Sequence, residues 1–243
     1  MEKRIDDTIH EIINEMIKSD SFGEYDIEGI ILTGSYISDN RHKKSDIDIF
    51  IVINEKLAFI RHNVFRVKDK IVQVRVCSYD KFKSDCELYE NKRPAAYACK
   101  VLFDKNGICQ KAIDNSKKYL VMGPKKLSNK EVTKLVNTIK NELETAEGLI
   151  DSNNIVAATI LINQLVMMLV EYYNDKYGYW MSNSNYLFTE LKEHNIKLGY
   201  LAENIILENN IDTKFNDLKY LCETIIPDWK NVPGEYTYDE YYG

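Results

Sequence analysis

The chain has 243 residues, of which 44% are hydrophobic and 29% are charged, and its formal net charge is −6. This length is enough for one large or two smaller domains, and the composition is typical of a soluble globular protein. The acidic balance argues against a dedicated nucleic-acid binder, which would usually carry a basic surplus. The five cysteines lack C-x-x-C pairing, the N-terminal residues do not form a signal peptide, and no apolar run approaches ~20 residues. A cytoplasmic protein with reduced thiols and no membrane partner is therefore expected.

The first predicted element is an amphipathic helix near the N-terminus. Its apolar residues recur at helical spacing, at Ile5, Ile9, Ile12, Ile13, Met16 and Ile17. One apolar stripe of this kind predicts a helix that packs against a sheet.

Two apolar runs joined by a polar loop follow, and they carry the first candidate site. The first run ends at Thr33 and turns at Gly34-Ser35, and the second run carries Asp46-Ile47-Asp48. In a strand, Asp46 and Asp48 would project from one face with Cα atoms roughly 6.6 Å apart. Two neighbouring carboxylates repel each other and are costly to desolvate, and a divalent cation between them offsets that cost.

An Asp-x-Asp pair alone has a simpler explanation, in which Asp46 closes a loop and Asp48 lies on an exposed edge. The Gly-Ser pair ten residues earlier favours a binding site instead. Gly34 allows the backbone to approach a ligand closely. Ser35 offers a hydroxyl and an N–H, which suit phosphate oxygens. One stretch would then hold both a phosphate and a metal ion.

This pattern resembles the nucleotidyltransferases of the DNA polymerase β-like superfamily, whose signature is Gly-Ser, a spacer, and Asp-x-Asp before apolar residues. The layout is most similar to that of small aminoglycoside- and lincosamide-type antibiotic nucleotidyltransferases. The resemblance implies that Gly34, Ser35, Lys44 and Ser45 bind the nucleoside triphosphate, which is expected to be ATP. It also implies that Asp46 and Asp48 are catalytic and bind Mg²⁺.

The spacer departs from the family pattern. Many members have a small-Arg-Gly segment where this chain has residues 37–40, Ile-Ser-Asp-Asn. Asp and Asn tolerate turn conformations, so the loop can still form. Arg41, Lys43 and Lys44 lie close by and could contact phosphates.

Residues 64–67 and 71–77 form a predicted β-hairpin. This hairpin is where the sequence can be compared most directly with the family pattern. In the second strand Val72, Val74 and Val76 would face one way, and Gln73, Arg75 and Cys77 the other. The family usually supplies a third metal-directed carboxylate at about this place, where this chain has Gln73. A glutamine oxygen can coordinate Mg²⁺, but it adds no negative charge and cannot take a proton from an attacking hydroxyl.

Three explanations for Gln73 stay open. Asp69 or Asp80 could be the missing acid, the enzyme could take an acid from elsewhere, or the site could bind nucleotide without turnover. In some antibiotic-modifying members a carboxylate of the helical domain is the general base. The candidates here are Glu142, Glu144, Glu147 and Glu171.

The rest of the chain reads as helical. Ser78 is a predicted helix N-cap, Gly-Pro in residues 121–126 is the best linker, and Ser128 with Glu131 fits a capping box. A strongly apolar helix over residues 155–173 would occupy the centre of a bundle of about five helices, with Leu161, Leu165, Met168, Leu169 and Tyr172 near its buried side.

The predicted fold class is therefore α+β, with a mixed-sheet nucleotidyltransferase domain over 1–121 and a helical acceptor-binding domain over 128–226. The aromatic tail, 227–243, could cover a groove, stack on a flat ligand, or mediate self-association as a homodimer.

The expected reaction is transfer of NMP to a hydroxyl of a small molecule, with an aminoglycoside as the leading acceptor. Transfer to a protein or RNA stays open, although nucleic acid is not the expected partner. The alternative is a catalytically weakened nucleotide-binding regulatory protein, such as a sensor or an antitoxin-like partner.

Overall fold

The computed structural model describes residues 9, 11–13, 25–37, 45–57, 59–67, 70–94, 97–181 and 186–232. The chain divides into two compact units. The first contains residues 1–89 and 94–122, and the second contains residues 90–93 and 123–243.

The first unit is built on a five-stranded mixed sheet. Its strands are β1 (Ile27–Thr33), β2 (Ile47–Ile53), β3 (Arg61–Val67), β4 (Lys70–Ser78) and β5 (Cys99–Asp104). They lie in the order β3-β4-β2-β1-β5. Strands β2 and β4 pair in parallel, and the other three pairs are antiparallel. The predicted mixed sheet is confirmed, as is the hairpin, which is formed by β3 and β4.

Alternation along β2 and β4 creates the first hydrophobic core. Ile47, Ile49, Ile51 and Ile53 are buried on one face of β2, and they pack with the valines of β4. The described residues near the N-terminus are helical, and Ile9 and Ile12 are buried in this core. The described residues of the predicted helix thus pack on this face of the sheet.

A second core covers much of the opposite face. It includes Ile31, Val52 and Cys77 from the strands. The helices α1 (Tyr79–Glu87) and α2 (Ile108–Met122) contribute Phe82 and Ala112, among others. Helix α1 begins where the sequence predicts, because the Ser78 hydroxyl accepts a hydrogen bond from the Lys81 N–H.

All five cysteines carry free thiols. Burial raises the pKa of Cys77 and of Cys99 to about 11, and that of Cys86, Cys109 and Cys222 to about 12. Because the thiolate is the reactive form, these groups are protonated packing residues near neutral pH.

The second unit is helical. Its helices are α3 (Asn129–Asp151), α4 (Ile155–Tyr177), α5 (Leu187–His194), α6 (Ile196–Leu207) and α7 (Ile211–Ile225). Together with the mixed sheet of the first unit, these helices confirm the predicted α+β class.

Helix α4 is the central helix of this core. Its fully buried side chains include Ile162, Leu165, Val166, Leu169 and Val170. The predicted buried side was partly wrong, because Leu161, Met168 and Tyr172 are only partly buried. The reason is that nearly every position of this helix is apolar, so the apolar pattern does not identify the face that packs.

Helix α4 is also the one described helix that is long and apolar enough to cross a membrane, with a hydropathy of 1.8 over its most apolar window. Length and composition alone are weak evidence, because a core helix of a soluble protein satisfies the same criteria. The buried side chains of α4 account for its apolar character.

Helix α3 starts with the predicted capping box. The Ser128 hydroxyl accepts from the Glu131 N–H at 3.3 Å, and the Glu131 carboxylate accepts from the Ser128 N–H at 2.7 Å.

We expect Ser128→Ala to lower the free energy of unfolding by about 0.5–2 kcal/mol, because it leaves an N–H at the helix start without its acceptor. Chemical denaturation measures this loss. Ser152→Ala is the matched control, since Ser152 lies at the exposed C-terminal end of the same helix, where its hydroxyl donates to the Leu149 carbonyl. An equal loss in the control variant would contradict the capping role.

Residues 90–93 leave the first unit and join the second. The Met181 N–H donates to the Asn91 carbonyl at 2.9 Å, and the Lys125 N–H donates to the Glu90 carbonyl at 3.0 Å. The Arg93 guanidinium donates to both carboxylate oxygens of Glu190 at 2.8 Å. Such bidentate pairs are the geometrically most specific ion pairs in proteins. Residues 90–93 are therefore tied into the helical unit by backbone and side-chain bonds.

Most of the predicted aromatic tail lies outside the described residues. Its first part is described: a short 3₁₀ turn, Trp229–Asn231, follows α7, and Trp229 packs against the helical core.

Candidate functional site

Three polar residues lie side by side across one end of the sheet. Thr33 on β1 is in register with Asp48 on β2, and Asp48 is in register with Gln73 on β4. Neighbouring strands lie about 4.8 Å apart, and directly opposed residues project to the same face. The carboxylate of Asp48 is thus flanked by a hydroxyl on one side and an amide on the other.

Asp46 joins this group from just before the start of β2. The Gln73 side-chain amide donates a hydrogen bond to the Asp46 carboxylate. Because Ile47 is fully buried on the opposite face, alternation directs Asp46 and Asp48 away from that core. The structure therefore brings Asp46, Asp48 and Gln73 together.

The turn after β1 places backbone directly against Asp48. Gly34 has a φ of +77°, and a Cβ atom at this position would lie 2.6 Å from Asp48 Oδ2. No side chain fits there without displacing the carboxylate, and the backbone conformation itself favours glycine. Gly34 opens a short 3₁₀ turn, Gly34–Tyr36, which contains Ser35. Gly34 of the Gly-Ser pair therefore lies against Asp48 of the Asp-x-Asp pair.

Three effects shift the pKa of Asp48. Burial raises the pKa of its carboxyl above the ordinary value, and the neighbouring Asp46 charge raises it further. The Arg75 guanidinium lowers the pKa of Asp48 in opposition. Because burial and the like charge both disfavour ionisation, this pair of carboxylates gains from a bound cation.

Arg75 is a member of the site that we did not predict. It lies two residues after Gln73 on the same face of β4, and its guanidinium lies 5.4 Å from the centroid of the Phe50 ring. Its signal in the sequence is the same period-2 alternation that places Gln73, but a lone arginine in a strand is not specific enough to single out. Thr33 was likewise missed, because only the register reveals it.

The donor set fits a magnesium–nucleotide complex. Mg²⁺ takes oxygen ligands and is commonly held by one or two carboxylates together with substrate phosphates. Asp46 and Asp48 supply such carboxylates. Within the described part of the chain, no cluster of three or more His, Cys, Asp or Glu residues could hold a metal ion. Among the described residues these two carboxylates are the candidate ligands, and the nucleotide and water would supply further oxygen ligands.

The other predicted nucleotide-binding residues are Ser45, which the structure describes, and Lys44, which it does not. Ser45 is buried and directly precedes Asp46. Lys44 lies outside the described residues, as do Arg41 and Lys43.

The alternative acids are not near Asp48 where the structure describes them. Asp80 lies in the first turn of α1, beyond the end of β4. The end of β4 at Ser78 is about 16 Å along the strand from Gln73. Asp80 is therefore not the third acid of this site, and the suggestion was wrong because it ignored the length of β4. Asp69 lies outside the described residues.

Two further acids have structural partners. Asp104 lies at the opposite end of the sheet, in register with Gly29, and accepts from the Gln110 N–H at 2.8 Å. It therefore caps α2. Among the candidate general bases, Glu147 forms an ion pair with Lys219 at 2.7 Å in the helical unit. The choice among the four glutamates stays open.

Comparisons with known proteins found a matching family model and a similar solved structure. Residues 11–107 match the family model described as "Polymerase beta, Nucleotidyltransferase". No curated protein matches the chain. A solved structure of a nucleotidyltransferase-like protein from Exiguobacterium sibiricum 255-15 is similar, with 12% identity and a TM-score of 0.48, over 88% of this chain and 75% of that one. Residues 11–107 are therefore similar to a nucleotidyltransferase domain of the polymerase β family.

Proposed function

We propose that this protein is a Mg²⁺-dependent nucleotidyltransferase that moves NMP from a nucleoside triphosphate to a hydroxyl of a small molecule and releases pyrophosphate. The observation that carries the proposal is the contact between the Gly34 turn and Asp48, with Asp46 beside it. A phosphate-binding turn and a pair of metal-binding carboxylates would then form one site.

Each residue has a specific role in this proposal. Gly34 lets the triphosphate approach the backbone, and Ser35 offers its hydroxyl and N–H to phosphate oxygens. Lys44 and Ser45 contact the nucleotide from the other end of the loop. Asp46 and Asp48 hold Mg²⁺, which when bound neutralises phosphate charge and lowers the pKa of the acceptor hydroxyl. Arg75 limits the negative charge around Asp48.

The proposed acceptor is a cationic small molecule, and ATP is the proposed nucleotide. The net charge of −6 supports a cationic acceptor, because an acidic protein attracts cations over a distance of several ångströms. An aminoglycoside antibiotic has this charge and many hydroxyls, and its modification would confer resistance. The proposal places the enzyme in the cytoplasm, where ATP is abundant, and it leaves open a homodimer.

A second candidate function has its own support. Gln73 is in register with Asp48, where its neutral amide replaces a potential acid, and it donates a hydrogen bond to Asp46. Such a site could bind Mg²⁺ and nucleotide yet transfer NMP slowly or not at all. The protein would then be a nucleotide-binding regulatory protein.

A pyrophosphate-release assay tests the first proposal. Purified protein is incubated with Mg²⁺, each of the four ribonucleoside triphosphates, and a panel of aminoglycosides and lincosamides. We expect acceptor-dependent release with ATP, and a loss of at least about 10³-fold in the Asp46→Asn/Asp48→Asn variant, because a metal site without its carboxylates loses its charge stabilisation.

The matched control is Asp80→Asn, which removes a carboxylate from the same domain at a distance from the site. Equal activity in wild type and the double variant would contradict the proposed site. Calorimetric binding of Mg²⁺-ATP without release for any acceptor would favour the regulatory protein. Absence of both release and binding would exclude both functions.

A further inference from the structure

The β4 side of the site carries an amide and a guanidinium where a second cation would need anionic ligands. We propose that this site holds a single divalent cation with the nucleotide, and that Gln73 and Arg75 exclude a second one. The inference rests on the proposed function and specifies its metal stoichiometry.

Gln73 closes one side of Asp46 to cations. Its amide N–H groups point at the Asp46 carboxylate, because the opposite orientation would set the amide oxygen against a negative charge. An N–H group cannot bind a cation. The hydrogen bond therefore occupies a face of Asp46 that would otherwise be free to ligate a second ion on the β4 side.

Arg75 places a fixed positive charge on the same side. It lies diagonally across from Asp48 on the neighbouring strand, since its direct partner on β2 is Phe50. The Phe50 ring holds the guanidinium by a cation–π contact, with 5.4 Å between the guanidinium carbon and the ring centroid. A divalent ion entering beside Gln73 would meet this like charge.

The charges on the residues described here favour one cation. Two carboxylates and one guanidinium give these residues a net charge of −1, so the protein side supplies little negative charge for a second divalent ion beside the one that the nucleotide shares. In two-metal sites the ions lie roughly 3.5–4 Å apart and share carboxylate ligands. No third His, Cys, Asp or Glu joins Asp46 and Asp48 among the residues that the structure describes. A nucleotide would supply further oxygen ligands to the first ion, but it would not replace the Gln73 amide and the Arg75 guanidinium on the β4 side.

Titration of Mn²⁺, followed by the loss of the free-ion electron paramagnetic resonance signal, tests the stoichiometry without any turnover. The full chain is mixed with an equimolar α,β-methylene analogue of ATP, which cannot release pyrophosphate. The Asp46→Asn/Asp48→Asn variant gives the baseline for Mn²⁺ bound to the analogue alone. We expect wild type to bind one Mn²⁺ in total per chain, more tightly than the baseline variant does, because Asp46 and Asp48 add ligands to the ion that the analogue already holds.

Gln73→Glu tests the residue directly, because the substitution keeps the shape of the side chain and adds one negative charge. We expect it to bind two Mn²⁺ per chain. The matched control is Val64→Glu, which adds the same charge one strand further out, since Val64 is in register with Gln73 and is 68% exposed. The control should still bind one. Arg75→Gln should tighten the one bound ion about tenfold, because it removes a nearby like charge.

Each outcome has a definite meaning. Two ions in wild type would overturn the inference and leave the transferase proposal intact. One ion in wild type without product for any acceptor would support the inference and count against the transferase. One ion in a folded Gln73→Glu/Arg75→Gln variant, with folding checked by thermal melting, would overturn the role given to these two residues. Wild type that binds Mn²⁺ no more tightly than the baseline variant would overturn the metal site itself.

Discussion

Replacing Gly34 by alanine should weaken binding of the Mg²⁺–nucleotide complex by about 10- to 100-fold, as expected for a change that displaces a metal-binding carboxylate. The added Cβ atom would lie 2.6 Å from Asp48 Oδ2, so either the carboxylate or the turn must move. The proposed function requires both in place, because the turn contacts phosphates and Asp48 holds the ion. Isothermal titration calorimetry with Mg²⁺-ATP measures the loss.

Gly107→Ala is the matched control for this prediction. Gly107 also has a positive φ, of +71°, but a Cβ atom there would meet no atom within 4 Å. Both variants should lose roughly 1–2 kcal/mol of stability from the left-handed backbone. Only Gly34→Ala should lose nucleotide affinity. Similar nucleotide affinities in the two variants would show that the contact between the turn and Asp48 has no part in binding.

The second large effect concerns the core of the helical unit. Ile162→Ala should lower the free energy of unfolding by about 2–5 kcal/mol, because it removes buried methyl groups from a closely packed core and leaves a cavity. Ile162 is fully buried in the main cluster of this unit. Denaturation by urea, followed by circular dichroism at 222 nm, measures the change, since this unit is helical.

Ile160→Ala on the same helix is the control. Ile160 is 55% exposed, so the same change in side chain removes little buried surface. Alanine also has the higher helix propensity, and we expect a change within about 0.5 kcal/mol. A comparable loss from both variants would contradict the assignment of the buried face of α4.

The sequence predicted the parts of this fold that depend on local patterns. The alternation of isoleucines in β2 and of valines in β4 follows from the period of two in a strand, and both faces were assigned correctly. The capping box of α3 depends on two residues three positions apart, and it was also correct. Such features need no knowledge of distant parts of the chain.

The site depended on distant pairings, which the sequence does not encode in an obvious pattern. The parallel register of β2 and β4 places Gln73 beside Asp48, and a shift by one residue would have placed it on the other face. Without that register, Asp80 remained a candidate acid, and the alternation that sets Arg75 on the face of Gln73 did not show that this arginine lies near Asp48. The motif could name the two aspartates, whereas their neighbours became visible only through the strand pairing.

The buried face of α4 shows a different reason for failure. A helix that is apolar almost all round has no polar face to mark the solvent side, so the packing partners decide which residues are covered. Met168 and Leu161 were expected in the core and are only partly buried, whereas Ile162 and Val166 are fully buried.

The path of residues 90–93 has a consequence for dividing or recombining this protein. The chain passes between its two units three times, at 89/90, 93/94 and 122/123. A fragment that begins at Gly123 would lack the guanidinium that pairs with Glu190 and the backbone carbonyl that receives the Met181 N–H. A single gene fusion or crossover point therefore cannot transfer the whole helical unit, because residues 90–93 lie within the sequence of the first unit. The helical unit has to be transferred together with the first unit.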